Sequence, residues 1–199
     1  MENPAPITPT KRRPLWLRAL GWLGGLILFL TVLLGGGYLI IQSNNNFHIV
    51  DDHVLYRSAQ MSGPDLQEAV QKYGIRTVIN LRGENKGTDW YDEEIQAAKQ
   101  CGLIHVNFRI SAREQLTLGQ MQELTRLMAT LPRPILVHCC SGTDRTGLVC
   151  SLYRLSKGQS SVIASQELSL RYGHFPYLGC ESGAMDRSLE VYVKEQSQR

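Results

Sequence analysis

The 199-residue sequence predicts an α/β fold: a mostly parallel central sheet flanked by helices on both faces, preceded by one N-terminal transmembrane helix. Three observations carry that prediction. Residues 19–41, ALGWLGGLILFLTVLLGGGYLII, contain no charge. From residue 47 onward, short apolar runs alternate with longer helical patterns, the βαβα order of a parallel sheet covered on both sides. One of those runs, Ile135-Leu136-Val137, ends at the segment HCCSGTDRTG, residues 138–147. Ligands of such sheets bind beyond the carboxyl ends of the strands, where this segment lies.

The uncharged run of 23 residues spans about 35 Å as a helix, enough to cross a hydrocarbon core of about 30 Å. Lys11, Arg12, Arg13 and Arg18 precede it, and the next basic residue is Arg57. The excess of positive charge in front of the span predicts an N-terminus in the cytoplasm and the following domain outside, as in a bacterial inner-membrane protein with a periplasmic domain. The run is long for a signal peptide, and no small-x-small site follows in SNNNF, so an uncleaved signal anchor is expected. The net charge of +3 is confined to this region: residues 1–46 hold four basic side chains and Glu2, and the other 153 residues hold 17 of each sign. The basic balance is therefore a topology signal and gives no reason to expect nucleic-acid binding.

The expected organisation is a basic N-terminus over 1–18, an anchor over 19–41, a short linker over 42–46 containing Asn44 to Asn46, and one domain over 47–199, long enough for its own core. Within the domain, residues 48–59 read as a short hairpin. Gly63-Pro64-Asp65 opens a helix that runs to Tyr73, and RTVINL, residues 76–81, is a strand. A helix over 89–101 stops at Gly102, followed by a strand over 103–110 and a helix over 116–131. The strand 134–138 delivers the segment 138–147. Helices are expected over 145–156, 159–172 and 184–196.

The segment 138–147 suits attack by a thiolate on a phosphate monoester. A free cysteine, with a pKa of about 8.5, is a weak nucleophile at neutral pH. A turn from strand into helix points backbone N–H groups inward as an anion-binding nest, and the new helix adds its positive end. Arg145 brings a permanent charge and a planar fork that holds two phosphoryl oxygens. Gly142 lets the backbone approach closely. Cys139 is thus the candidate nucleophile, and Cys139 to Arg145, with Cys140, Ser141, Gly142, Thr143 and Asp144 between them, the candidate phosphate-binding loop. Cys140 is expected to pack as a small hydrophobe.

The spacing C-x5-R, with His138 before and Thr146-Gly147 after, resembles the signature H-C-x-x-G-x-x-R-[S/T]-G of cysteine-dependent tyrosine and dual-specificity phosphatases. LYRSAQ, residues 55–60, and VINLR, residues 78–82, look like segments of the bacterial dual-specificity-like and Siw14-type branch, so the resemblance covers roughly 47–175. It implies the tyrosine/dual-specificity phosphatase fold. It also implies a phosphocysteine at Cys139, phosphate binding by Arg145, assistance to the departing thiolate by Thr146, and orientation of the loop by His138. It implies no metal and no cofactor.

The family's aspartate, some 30 residues before the cysteine, has no counterpart in NFRISAREQLTLGQ, residues 107–120. Asp144, whose place in the loop resembles that of an aspartate in the myotubularin lipid phosphatases, and Glu114 are the candidates for proton transfer, with Asp89 and Asp92 behind them. Arg57 and Arg82 are candidates for substrate contact or for internal ion pairs; His174 and Tyr177 are expected to pack in the ordinary way, with the border of the site the alternative. Of the five cysteines, Cys101, Cys150 and Cys180 are expected as free thiols, with one disulfide among them the alternative. The expected substrate is a phosphorylated protein. A phosphorylated lipid or inositol phosphate is the alternative, and a phosphate-binding domain without turnover is the third reading.

Overall fold

A computed structural model describes residues 15–176 and 183–198. The chain divides into two compact units, one ending at Leu39 and the other beginning at Ile40. The first holds most of a helix, α1 (Leu15–Ser43). Its 18-residue window Leu20–Gly37 has mean hydropathy 1.9 with none of it buried, so it is long and apolar enough to cross a membrane by length and composition. The Thr31 hydroxyl donates to the Ile27 carbonyl at 2.9 Å, which leaves that polar group satisfied within the helix.

The second unit is a five-stranded sheet of order β1-β2-β5-β3-β4. Strands β1 (His48–Asp51) and β2 (Leu55–Ser58) form the expected hairpin. Strands β3 (Thr77–Asn80), β4 (Ile104–Asn107) and β5 (Ile135–His138) join β2 in parallel. Helices α2 (Gly63–Tyr73) and α3 (Asp89–Gln100) cover one face. Helices α4 (Leu118–Thr130), α5 (Asp144–Ser156), α6 (Ser161–Ser165) and α7 (Gly183–Ser197) belong to the other side.

The period-2 alternation of strands sorts the core. Leu55, Ile79, Ile135 and Val137 join the cluster under α4, α5 and α7, whereas Tyr56, Val78 and Leu136 join the cluster under α2 and α3. The central strands β2, β3 and β5 are buried along their whole length, as parallel strands with both faces covered must be. Their register sets Ser58 and Asn80 level with His138. The carboxyl ends of three neighbouring strands therefore open at one level, directly below Cys139.

Two expectations change. The helix expected over 159–172 is broken: α6 covers only Ser161–Ser165, and a 3-10 turn follows at Leu170–Tyr172. The segment between them passes so close to α5 that a Cβ on Gly147 would lie 2.7 Å from the Glu167 carbonyl oxygen. The Glu167 side chain is buried there against Arg57.

The asparagines of the expected linker are built into the domain. Asn45 and Asn46 adopt φ of 53° and 45°, the left-handed region that asparagine tolerates. Asn46 is fully buried. Its Nδ2 donates to the carbonyls of Ser141, at 3.0 Å, and Tyr172, at 2.9 Å. The triplet is a turn that grips the loop after β5.

Candidate active site

The loop from Cys139 to Asp144 has its carbonyl groups tied outward. The His138 oxygen accepts from Leu81 N at 2.9 Å, and the Cys140 oxygen from Gln60 N at 3.0 Å. The Gly142 oxygen accepts from Arg57 Nη2 at 2.8 Å. Among the described residues, the N–H groups of Ser141, Gly142 and Thr143 donate to no backbone carbonyl. No side chain caps the N-terminus of α5, and the Ser141 and Thr143 hydroxyls bond each other at 2.7 Å instead. A helix end with open N–H groups and an inward-facing run of amides is an anion site.

Arg145 and Thr146 supply donors held in reserve. Arg145 Nη1 rests on the carbonyls of Leu81, at 3.3 Å, and Ile110, at 3.4 Å. These come from the ends of β3 and β4. Among the described residues its Nε is buried without a partner, as is the Thr146 hydroxyl. A buried unsatisfied donor costs about 1–3 kcal/mol. Both groups lie in the segment that carries Cys139, the candidate nucleophile, and an anion bound there would give them a partner. Cys139 itself is 2% exposed and a free thiol. Cys140 is exposed, which corrects the expectation that it packs: its carbonyl is fixed by Gln60, and the side chain is left toward solvent.

Arg57 scaffolds the loop from within the fold. It is fully buried. Its Nη1 pairs with Glu167 Oε2 at 2.7 Å, and its guanidinium lies 3.7 Å from the centre of the Tyr172 ring. Arg154 shares the same carboxylate at 3.0 Å. Arg57 therefore stands as an internal ion pair that holds the Gly142 carbonyl in place.

A carboxylate that sequence reasoning passed over lies behind the nucleophile. Glu94, on the buried face of α3, is 3% exposed. Its Oε1 is 2.7 Å from His105 Nε2, and its Oε2 accepts from Gln60 Nε2 at 2.5 Å. His138 Nε2 approaches the same oxygen at 3.2 Å, off the hydrogen-bond axis. Burial alone would raise the Glu94 carboxyl; the bond from His105, the approach of His138 and the Gln60 amide together hold it well below the ordinary value of 4.5. Because the folded value is depressed, this stability is present above about pH 4.5 and is lost as pH falls toward the lowered folded value. Glu94→Gln should cost about 3 kcal/mol at pH 7, with the gap to the native chain narrowing below pH 4.5. Urea unfolding at pH 7 and pH 3.5 checks this.

The proton-transfer candidates separate clearly. Asp144 Oδ1 is 2.7 Å from His174 Nδ1, and His174 Nε2 is 3.0 Å from Asp186 Oδ2. Burial would lower the His174 pKa, but its two carboxylate neighbours raise it, so the ring has the pattern of an imidazolium donating from both nitrogens. Glu114 is exposed in the loop after β4. Asp89 is exposed at the start of α3, and the Asp92 carboxylate accepts the Gly87 N–H at 3.1 and 3.2 Å, closing its own turn. Asp144 is thus the carboxylate that the loop itself carries, with His174 behind it. Sequence separation of 30 residues hid that partner. Tyr177 and Cys180 lie outside the described residues. Cys101 and Cys150 are free, and burial pushes the Cys150 thiol up to about 12, which leaves it inert.

Comparison with known proteins bears on the fold and the family. The structure of P. aeruginosa TpbA superposes with TM-score 0.58 at 20% identity, covering 77% of this chain and 86% of that one. A cysteine-to-serine variant of TpbA is known in complex with phosphotyrosine. The catalytic core of the S. cerevisiae PP-IP phosphatase SIW14, in complex with citrate, gives TM-score 0.58 at 16% identity over 76% of this chain and 93% of that one. These likenesses establish the fold. A beta-lactamase hydrolase-like protein of Xylella fastidiosa is 34% identical over 105 residues, 51% of this chain. The match takes in only 23% of that longer protein. Residues 38–178 match the family described as DSP-PTPase phosphatase fused to NAD+ kinase. That match takes in the strand, loop and helix that carry Cys139 and Arg145 as well as the Arg57–Glu167 lock, and the chain belongs to this family, within the cysteine-dependent dual-specificity phosphatase-like superfamily.

Proposed function

We propose that the chain is a membrane-anchored, cysteine-dependent phosphatase of phosphorylated proteins, with phosphotyrosine the foremost substrate. The observation that carries the reading is the empty-handed nest around Cys139, with buried donors on Arg145 and Thr146 that have no protein partner. In the first step the Cys139 thiolate attacks phosphorus, the P–O bond to the substrate breaks, and a phosphocysteine forms. Arg145 and the loop N–H groups hold the equatorial oxygens as charge spreads over them. In the second step water attacks the phosphocysteine, Asp144 takes its proton, and the thiolate departs toward the Thr146 hydroxyl.

The Asp144–His174 contact supports tyrosine over serine. A carboxylate oxygen that accepts from His174 is poised to receive a proton and is poorly placed to deliver one. The phenol of tyrosine, with a pKa of about 10, leaves with far less protonation than an aliphatic alcohol. The phosphotyrosine complex of a cysteine-to-serine TpbA variant supports the same reading by similarity. The apolar helix α1 and the basic residues before it support an anchor with the catalytic unit outside the cytoplasm. A phosphorylated lipid or inositol phosphate is the second reading. The anchor favours it by keeping the site beside a bilayer, and the fold is shared with a PP-IP phosphatase.

The test is hydrolysis by the full chain in neutral detergent with EDTA. Phosphotyrosine and phosphothreonine peptides are run beside phosphoinositides and phosphatidylglycerophosphate. Turnover of phosphotyrosine peptide, well above phosphothreonine, is expected. Turnover confined to the lipids makes the second reading the function, and phosphate binding with no turnover makes the chain a phosphate-binding module. Protease added to sealed spheroplasts should remove the catalytic unit if it faces outward and spare it if it faces the cytoplasm.

A further inference from the structure

Arg82 is a half-buried cation beside the loop, and among the described residues no carboxylate forms an ion pair with it. Its guanidinium lies flat on Trp90, 3.3 Å from the ring centre, and its Nη1 donates to Gln60 Oε1 at 3.0 Å. Its Nε and Nη2 have no hydrogen-bond partner among the described residues. Arg57 and Arg154, by contrast, share Glu167. Glu94, whose charge acts on Arg82, is linked to it through the Gln60 amide and is already engaged by His105 and His138.

Three contacts place Arg82 at the rim of the phosphate site. Arg145 rests on the carbonyl of Leu81, the residue bonded to Arg82. The N–H of Leu81 holds the His138 carbonyl, and the N–H of Gln60 holds the Cys140 carbonyl. Burial lowers the Arg82 pKa, and Cys140, Arg145, Glu94 and Cys139 are the charges it feels. Arg82 remains cationic at neutral pH. Stacking on Trp90 pre-organises its fork, so little freedom is lost on binding.

We propose that Arg82, laid on Trp90, is a subsite for a second anionic group borne beside the phosphotyrosine, so that the preferred substrate is a phosphopeptide with an acidic or second phosphorylated side chain next to it. This rests on the phosphatase reading above. Arg145 is committed to the transferred phosphoryl group, and Arg82 answers the neighbouring charge. The part of the Trp90 ring that stays exposed gives an apolar surface for the peptide next to that fork.

The test is read as binding, without turnover. In the full-length Cys139→Ser chain in neutral detergent, two fluorescent phosphotyrosine peptides are titrated, identical except for Glu or Gln flanking the phosphotyrosine. The Glu peptide should bind about tenfold tighter, the yield of one well-placed charge-assisted contact. Arg82→Gln should bring the ratio to about one. Arg82→Lys keeps the charge and the stem and guards against a folding defect; its ratio should be about three, because lysine has no planar fork. The proposal is overturned by equal binding of the two peptides, by a preference that survives Arg82→Gln, or by a ratio of one in Arg82→Lys. It is also overturned, in favour of a polyphosphorylated ring, if inositol hexakisphosphate binds in an Arg82-dependent way while the peptide ratio does not change. Absence of hydrolysis by the native chain counts against the phosphatase reading alone, since these ratios need no catalysis.

Discussion

Cys139→Ser should lower phosphotyrosine turnover by about four orders of magnitude or more while leaving phosphate binding within a few-fold of the native chain. The argument has two halves. The reactive group is a thiolate, and a serine hydroxyl ionises far less readily, so the first step loses its nucleophile. The anion site, however, is made by other atoms: the amides of residues 141–143, the open end of α5 and the Arg145 fork. The carbonyls of that loop are fixed from outside by Leu81, Gln60 and Arg57, so removing one sulfur does not collapse it. Single-turnover kinetics and titration with inorganic phosphate separate the two effects. Loss of binding in step with turnover would mean that the sulfur shapes the nest. Turnover within tenfold of native would place the nucleophile elsewhere.

The same separation of local from distant determinants explains what the sequence discloses. The nucleophile, its arginine, the glycine and the following hydroxyl lie within eight residues, and strand, turn and helix follow one another there, so chemistry and local structure read together. The hairpin and the mostly parallel sheet are legible because short strand runs alternate with helical patterns, whereas the strand order is not. What holds the loop in place is not legible. Arg57 meets Glu167 across 110 positions and Asn46 meets Tyr172 across 126. Glu94 reads as one more acid on an amphipathic helix, and only the fold turns it inward under His138. His174 reads in the sequence as ordinary packing, because its bridge between Asp144 and Asp186 depends on where α7 packs. The helix expected over 159–172 failed for a related reason: its backbone at Glu167 is packed closely against Gly147 of α5, a tertiary contact that local propensity does not reveal.

Gly142→Ala should cost about 2–4 kcal/mol of stability and about a hundredfold or more in turnover, and a second glycine supplies its control. Gly142 has φ of +72°, where an alanine is strained by about 1–2 kcal/mol. A Cβ there would also lie 2.6 Å from Ala59 N and Ser58 C. Neither of those atoms is free to retreat. Ser58 is registered against His138 in the sheet, and Ala59 N is bonded to the Asn45 carbonyl at 2.7 Å. The loop must therefore yield instead, moving away from β2 and taking the Gly142 carbonyl off Arg57 and the amides of the nest out of register. A misplacement of about 1 Å is enough to cost two orders of magnitude when catalysis depends on several donors converging on one phosphoryl group. Gly74, which ends α2 at φ +66° with nothing within 4 Å of its missing Cβ, carries the same backbone strain without the collision. Gly74→Ala should thus cost only about 1 kcal/mol and leave kcat unchanged. Urea unfolding and kcat/KM on the two variants divide the Gly142 penalty into strain and collision. Equal losses at the two positions would show that β2 can give way, and that the close approach of strand and loop does not set the geometry of the site.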